Sequence, residues 1–154
     1  HFILGQLTTR VITIILQTFL LLLIGAVVLG VSIGQGNIFA WVNLLFLTIV
    51  GSVLFLSIGL AISGAAPNED SAAPIANLIT FPMLFLSGVF FPLDLMPDWV
   101  HYISNVLPLT HLATGLREAS LYGKAPWETI PEATILIGWS FLALLISAKT
   151  FKWE

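Results

Sequence analysis

The 154-residue sequence predicts an all-α, polytopic helical membrane protein, and three observations carry that fold class. Only 8% of residues are charged, about a third of the usual ~25% share, while 58% are hydrophobic and mean hydropathy is +1.03. Such a composition cannot cover a water-facing surface. Positions 11 to 68, 58 residues in all, contain no Asp, Glu, Lys or Arg. One crossing of a hydrocarbon core about 30 Å thick takes roughly 20 residues, so this gap holds two spans. Two later apolar runs, near 74–91 and 133–150, have uncharged centres and read as two more.

The elements follow in order. The first span is expected over 11–31 and the second over 39–63. They are divided by Gly30-Val-Ser-Ile-Gly34-Gln-Gly36-Asn37, whose glycines and amides read as a turn. A connection this short makes them an antiparallel hairpin. Gly30 and Gly34 also form a small-xxx-small pattern, but turn formation explains both. Residues 65–71, with Pro67, Glu69, Asp70 and an N-cap-like Ser71, read as a surface loop. The third span is expected over 74–91, with Pro74 suited to a first helical turn. Pro82 inside it removes a hydrogen bond and predicts a kink, which a bilayer tolerates where neighbours or water satisfy the freed carbonyl.

After Pro92 the pattern changes. Trp99, Tyr102, Ile103 and Val106 recur at i, i+3, i+4, i+7, and Leu109, Leu112, Ala113 and Leu116 repeat that spacing between Pro108 and a C-capping Gly123. Both segments are too short to span and suit an interfacial or re-entrant position within 94–123. Trp99, Tyr102, Tyr122 and Trp127 supply the aromatic belt expected there. The fourth span, 133–150, ends on Lys149, Lys152 and Trp153, which can snorkel and anchor. The whole chain, 1–154, reads as one transmembrane domain.

Several function classes are excluded. A net charge of −3 without a basic run offers nucleic acid no electrostatic footprint. The absence of cysteine removes disulfide and thiolate chemistry. No G-x-x-x-x-G-K-[ST] loop occurs, so this stretch has no nucleotide-binding motif of that kind. No intramembrane charge is present for an ion-coupled transporter. His1, His101 and His111 lack metal-ligand spacing. His111, Thr114 and Glu118 share one helical face, and the polar side of an interfacial helix explains them better than a metal or proton-relay site. Neither a metal nor any other cofactor bound by this chain is expected.

The stretch 81–118 resembles the type-2 ATP-binding-cassette (ABC) exporter permeases, a family that includes drug, polysaccharide and lipo-oligosaccharide exporters. The matching pieces are Leu86-Ser87-Gly88-Val89-Phe90-Phe91-Pro92, Met96-Pro97-Asp98-Trp99, Leu107-Pro108-Leu109-Thr110 and Arg117, in order. The resemblance implies that this is the C-terminal part of a six-span permease, with two spans and an amphipathic segment preceding it. It implies structural roles for Ser87, Gly88, Pro92, Pro97, Pro108 and Arg117, the last tying the outer hairpin to its surroundings. Residues 1–7 would end the coupling helix that docks on an ATPase.

Further implications are a second permease copy as dimer partner, ATP and Mg bound and hydrolysed on a partner ABC ATPase subunit, and contact with membrane lipids. The expected location is the plasma (inner) membrane with a cytoplasmic C-terminus. Positive charge leans the same way, three residues (Arg10, Lys149, Lys152) against two (Arg117, Lys124).

Within the third span Asn77, Thr80 and Ser87 fall at i, i+3, i+10. Either they line a translocation path at a dimer axis, with Phe81, Leu84 and Phe85 as an apolar constriction, or they hydrogen-bond a neighbouring helix. The expected function is outward transport of a drug, lipid or glycan-type substrate. The alternatives are a membrane-embedded enzyme using His101, His111 and Glu118, or a structural subunit.

Overall fold

A computed structural model describes residues 2–150, so expectations placed on His1, Lys152 and Trp153 lie outside the described residues. The chain forms α1 (Phe2–Leu29), α2 (Ile38–Ala65), α3 (Glu69–Leu86), α4 (Asp98–Ser104), α5 (Pro108–Tyr122) and α6 (Ile130–Thr150). Short 3-10 turns lie at Ile33–Gly36, Leu93–Leu95 and Pro126–Glu128, and no strand occurs among the described residues.

Three stretches are long and apolar enough to cross a membrane: Thr8–Leu29, Ile38–Ala65 and Ile130–Thr150. The divider between the first two is a turn in which Gly30, Gly34, Gly36 and Gln35 all take positive φ. Asn37 then caps α2, its Oδ1 accepting from Phe39 N at 3.0 Å.

The helix expected over 74–91 runs instead over Glu69–Leu86. Asn68, inside the stretch read as a loop, is the N-cap: its Oδ1 accepts from Ser71 N at 2.9 Å while Ser71 Oγ accepts from Asn68 N at 3.3 Å. That reciprocal capping box starts the helix five residues early and leaves Pro74 in the second turn. At the other end Gly88 turns the chain with φ +76° and Pro92 follows, so the helix stops short of Phe91. Its apolar part, Asp70–Leu86, is below the length of the three spans. At 1.5 Å per residue it covers about 26 Å. Three described helices therefore reach spanning length, where four were expected.

The core lies where α2, α5 and α6 meet. Leu47 and Leu54 of α2 pack with Ala133, Leu136 and Ala143 of α6, and Leu112 and Leu116 of α5 close on them. Two glycines allow α5 to lie this close. A Cβ on Gly51 would stand 2.8 Å from Leu112 Cδ1, and one on Gly115 would stand 3.0 Å from Leu47 Cδ1. Each leucine thus fills the gap opposite the other helix's glycine.

The depth of α5 follows from its partners. Its C-terminal end meets the α1–α2 turn, where Gln35 Nε2 donates to Leu121 O at 2.9 Å and Asn37 Nδ2 to Gly123 O at 3.0 Å. Just before its N-terminal end, Trp139 Nε1 donates to Val106 O at 3.0 Å. Trp139 lies nine residues into α6, about 14 Å along it. Helix α5 is therefore tied to the bundle at both of its ends.

The apolar stripe of α4 does not face that bundle. Trp99, Tyr102, Ile103 and Val106 are exposed, while Val100 and Ser104 are the buried positions. In a bilayer an apolar face has no need of a protein core, so periodicity identifies the helix but not the side that is packed. Helix α1 is similarly outward: it leans on α2 through stacking of Phe19 on Trp41 (centroids 5.8 Å, 18° between planes) and leaves Leu16 and Val27 exposed.

Candidate substrate path and the adjoining hairpin

Helix α3 is held on one side only. Ile75 and Ile79 face α2 and α6, lining with them an apolar groove of about 390 Å³. Successive helical residues turn by about 100°, which places Asn77, Thr80, Phe81 and Leu84 on the opposite arc. Asn77, Thr80 and Phe81 are exposed and Leu84 is half-buried. Neither the Asn77 amide nor the Thr80 hydroxyl has a hydrogen-bond partner among the described residues. An amide and a hydroxyl on an otherwise apolar helix need one, because hydrocarbon supplies none.

Ser87 stands apart from this stripe. It is the C-cap of α3, buried, with Oγ donating to Leu84 O at 3.2 Å. Phe85 heads a small aromatic group, its ring 5.6 Å from Phe90 and 6.5 Å from Phe91. The upper end of the α3 stripe is thus bounded by three phenylalanines.

Beyond it lies a second, more polar cavity of about 380 Å³, walled by the Ser87–Asp94 turn together with Thr114 and Arg117. The motif residues converge here. Gly88 is buried at φ +76°, and a Cβ on it would sit 2.9 Å from Leu93 Cγ, so only glycine fits. Arg117 Nη2 points to Gly88 O across 3.4 Å, joining α5 to the end of α3. Pro92, Pro97 and Pro108 open the Leu93–Leu95 turn, α4 and α5 respectively, with Pro108 fully buried. A proline suits each start, since its missing N–H would have had no intrahelical partner.

The three groups of the enzyme alternative are dispersed in their bonding. His111 Nε2 meets Asn105 O at 2.8 Å, Glu118 Oε1 pairs with Lys124 Nζ at 2.7 Å, and no hydrogen bond joins His101 to either. Thr114, on the same face by spacing, lines the polar cavity. No group of three or more metal-ligating side chains occurs among the described residues.

The residues that anchor the hairpin were less legible in the sequence than those that line it. Asn43, a lone amide in the second span, is fully buried and exchanges two hydrogen bonds with Thr129: Nδ2 donates to Thr129 Oγ1 at 3.0 Å, and Thr129 Oγ1 donates to Asn43 Oδ1 at 3.1 Å. Asn43 Nδ2 also reaches Lys124 O at 3.0 Å. Trp139, an indole in mid-span, holds the α4–α5 turn from below. An amide and an indole within apolar runs were the only available signals, and neither reveals a partner far along the chain.

Comparison with known proteins bears on this arrangement. The model of the ABC-2 type transporter family matches residues 1–121. The chain is 30% identical over 140 residues to ABC transporter G family member 20 of Dictyostelium discoideum, covering 87% of this chain and 18% of that protein. It is 26% identical over 143 residues to the putative transport permease YvfS of Bacillus subtilis, covering 93% of this chain and 56% of the relative. Nodulation protein J of Rhizobium leguminosarum bv. viciae is 33% identical over 84 residues, 53% of this chain and 32% of that protein. The chain therefore spans about half or less of the length of these relatives. No solved structure matches.

Proposed function

Because this chain belongs to the ABC-2 type transporter family, we propose that it forms part of the permease of an ABC exporter, moving its substrate outward through a path that α3 lines. The observation that carries the reading is the unpartnered Asn77 and Thr80 on the exposed arc of α3, beside Phe81 and Leu84 and below Phe85. A second copy facing the first across this arc would enclose a narrow path with polar walls and an aromatic constriction. Drug, lipid and glycan-type substrates all suit such walls.

ATP and Mg are taken by a partner ABC ATPase subunit, which drives the change of access. Binding energy released there shifts the permease between two states, because the ATPase favours one of them. The C-terminus faces the cytoplasm of a plasma (inner) membrane in this reading, and the re-entrant hairpin stands on the outer side.

Purification of the full chain in mild detergent tests the proposal. The expected result is a stoichiometric partner carrying a nucleotide-binding loop, whose ATPase rate changes when candidate substrates are added. A pure chain with no such partner, and no ATP-dependent transport after reconstitution, would contradict it.

A further inference from the structure

The polar cavity at the end of α3 carries charge that the fold leaves unused. Its wall holds one cation, Arg117 of α5, and one anion, Asp94 of the Leu93–Leu95 turn. Both residues are exposed, and no ion pair joins them; Glu118, the acidic neighbour of Arg117 in sequence, pairs with Lys124 instead. Of the several N–H donors of Arg117, only Nη2 has an acceptor among the described residues, Gly88 O at 3.4 Å. The Asp94 carboxylate accepts no hydrogen bond among them. The backbone has donors to spare as well, since the N–H groups of Val89, Phe90 and Phe91 in the same wall bond no carbonyl.

Two opposite charges that share a cavity without pairing select its occupant. An anion alone would meet the Asp94 carboxylate, and a cation alone the Arg117 guanidinium. A ligand that carries both charges satisfies the two together, its anion on the guanidinium and its cation on the carboxylate. The volume of about 380 Å³ lies within the roughly 300–1,000 Å³ usual for small-molecule sites. Phe90 and Phe91 belong to the same wall and are exposed, so apolar chains attached to such a group have a surface beside it.

We propose that this cavity binds a zwitterionic phosphoethanolamine group, its phosphate on Arg117 and its ammonium on Asp94. That chemistry occurs free in solution and on a lipid headgroup. Neither Asn77 nor Thr80 lines the cavity, so the proposal stands or falls apart from the path.

The test uses the full chain in mild detergent, with bound lipid counted by native mass spectrometry. Phosphatidylethanolamine should bind about two- to fivefold better than phosphatidylglycerol of the same acyl chains, the ratio that an exposed charge pair provides. Asp94→Asn, which has no bond to lose, should abolish or reverse that preference. Arg117→Gln, checked by its melting temperature for folding, should weaken phosphatidylethanolamine binding about tenfold. Displacement of the lipid by soluble phosphoethanolamine would identify the free compound as sufficient, and retention of the lipid would identify the headgroup with its chains. Equal or better binding of phosphatidylglycerol in the unsubstituted protein, a preference that survives Asp94→Asn, or unchanged binding in folded Arg117→Gln would each overturn the proposal.

Discussion

At the scale of single residues, the buried Asn43–Thr129 pair does what apolar packing between α2 and the loop before α6 could not: it fixes a register. Removing Thr129 strands Asn43 Oδ1, and removing Asn43 strips Lys124 O of its donor and leaves Thr129 Oγ1 only the longer contact to Pro126 O at 3.4 Å. Asn43→Ala should lower stability by about 1–3 kcal/mol, and Thr129→Val by a similar amount. The double variant should cost less than the sum of the two. Thermal unfolding of the four proteins in one detergent measures this directly.

Gly88 is a second such point, because its φ of +76° and the nearby Leu93 both oppose a side chain. Gly88→Ala should cost about 1–2 kcal/mol from backbone strain alone. Trimming the neighbour as well, in Gly88→Ala with Leu93→Ala, should leave that backbone component in place, which the same melts would reveal.

Lys124 gives a pH signature. Its amine is held above the ordinary 10.5 chiefly by the hydrogen bond to Glu118, against some desolvation and with help from the charges of Glu118, Glu132 and Glu128. A pKa raised by folding means that the contribution is fully present below pH 10.5 and is lost as pH rises through the higher folded-state value. The melting temperature of the parent should therefore fall towards that of Lys124→Met only above about pH 10.5. A gap between the two that stays constant from pH 9 to 11.5 would show that the pair contributes nothing through charge.

At the scale of elements, the long apolar helices were legible because hydropathy and a 58-residue gap in charge leave few other arrangements. The start of α3 was not, since Asn68 and Ser71 sit among residues that also suit a loop, and a capping box becomes visible only as geometry. The packed side of α4 was not legible either, because an apolar stripe in a bilayer is free to face lipid.

For α5 the decisive feature is the pairing of Gly51 with Leu112 and of Gly115 with Leu47. Gly115→Leu should force α5 away from α2. The chain has no cysteine of its own, so a single Ala113→Cys reports the change. It should react with a water-soluble maleimide several-fold faster when Gly115→Leu is also present. Unaltered reactivity would mean that α5 is held by its hydrogen bonds at Gln35, Asn37 and Trp139 alone.

At the scale of the whole molecule, the bundle is lopsided. Helices α2, α5 and α6 share one core, α1 lies outside it, and α3 presents two unpaired polar groups away from it. Under the proposed function, the α3 arc is the face that a second copy would cover. The motif residues around Gly88 and Arg117 were legible as a linear pattern. Their meeting in one polar cavity was not, because it depends on the packing of α5 beside the end of α3.

Water must reach the α3 arc if it lines a path. The decisive measurement is the rate at which a membrane-impermeant, water-soluble thiol reagent modifies Asn77→Cys and Thr80→Cys in reconstituted vesicles, with Leu78→Cys as the reference. Leu78 lies about 100° around the helix from Asn77. Modification at 77 and 80 should be at least tenfold faster than at 78, at rates that change when ATP reaches the partner ATPase. Equal protection of all three positions, with and without ATP, would place the arc against lipid or another helix and contradict the path.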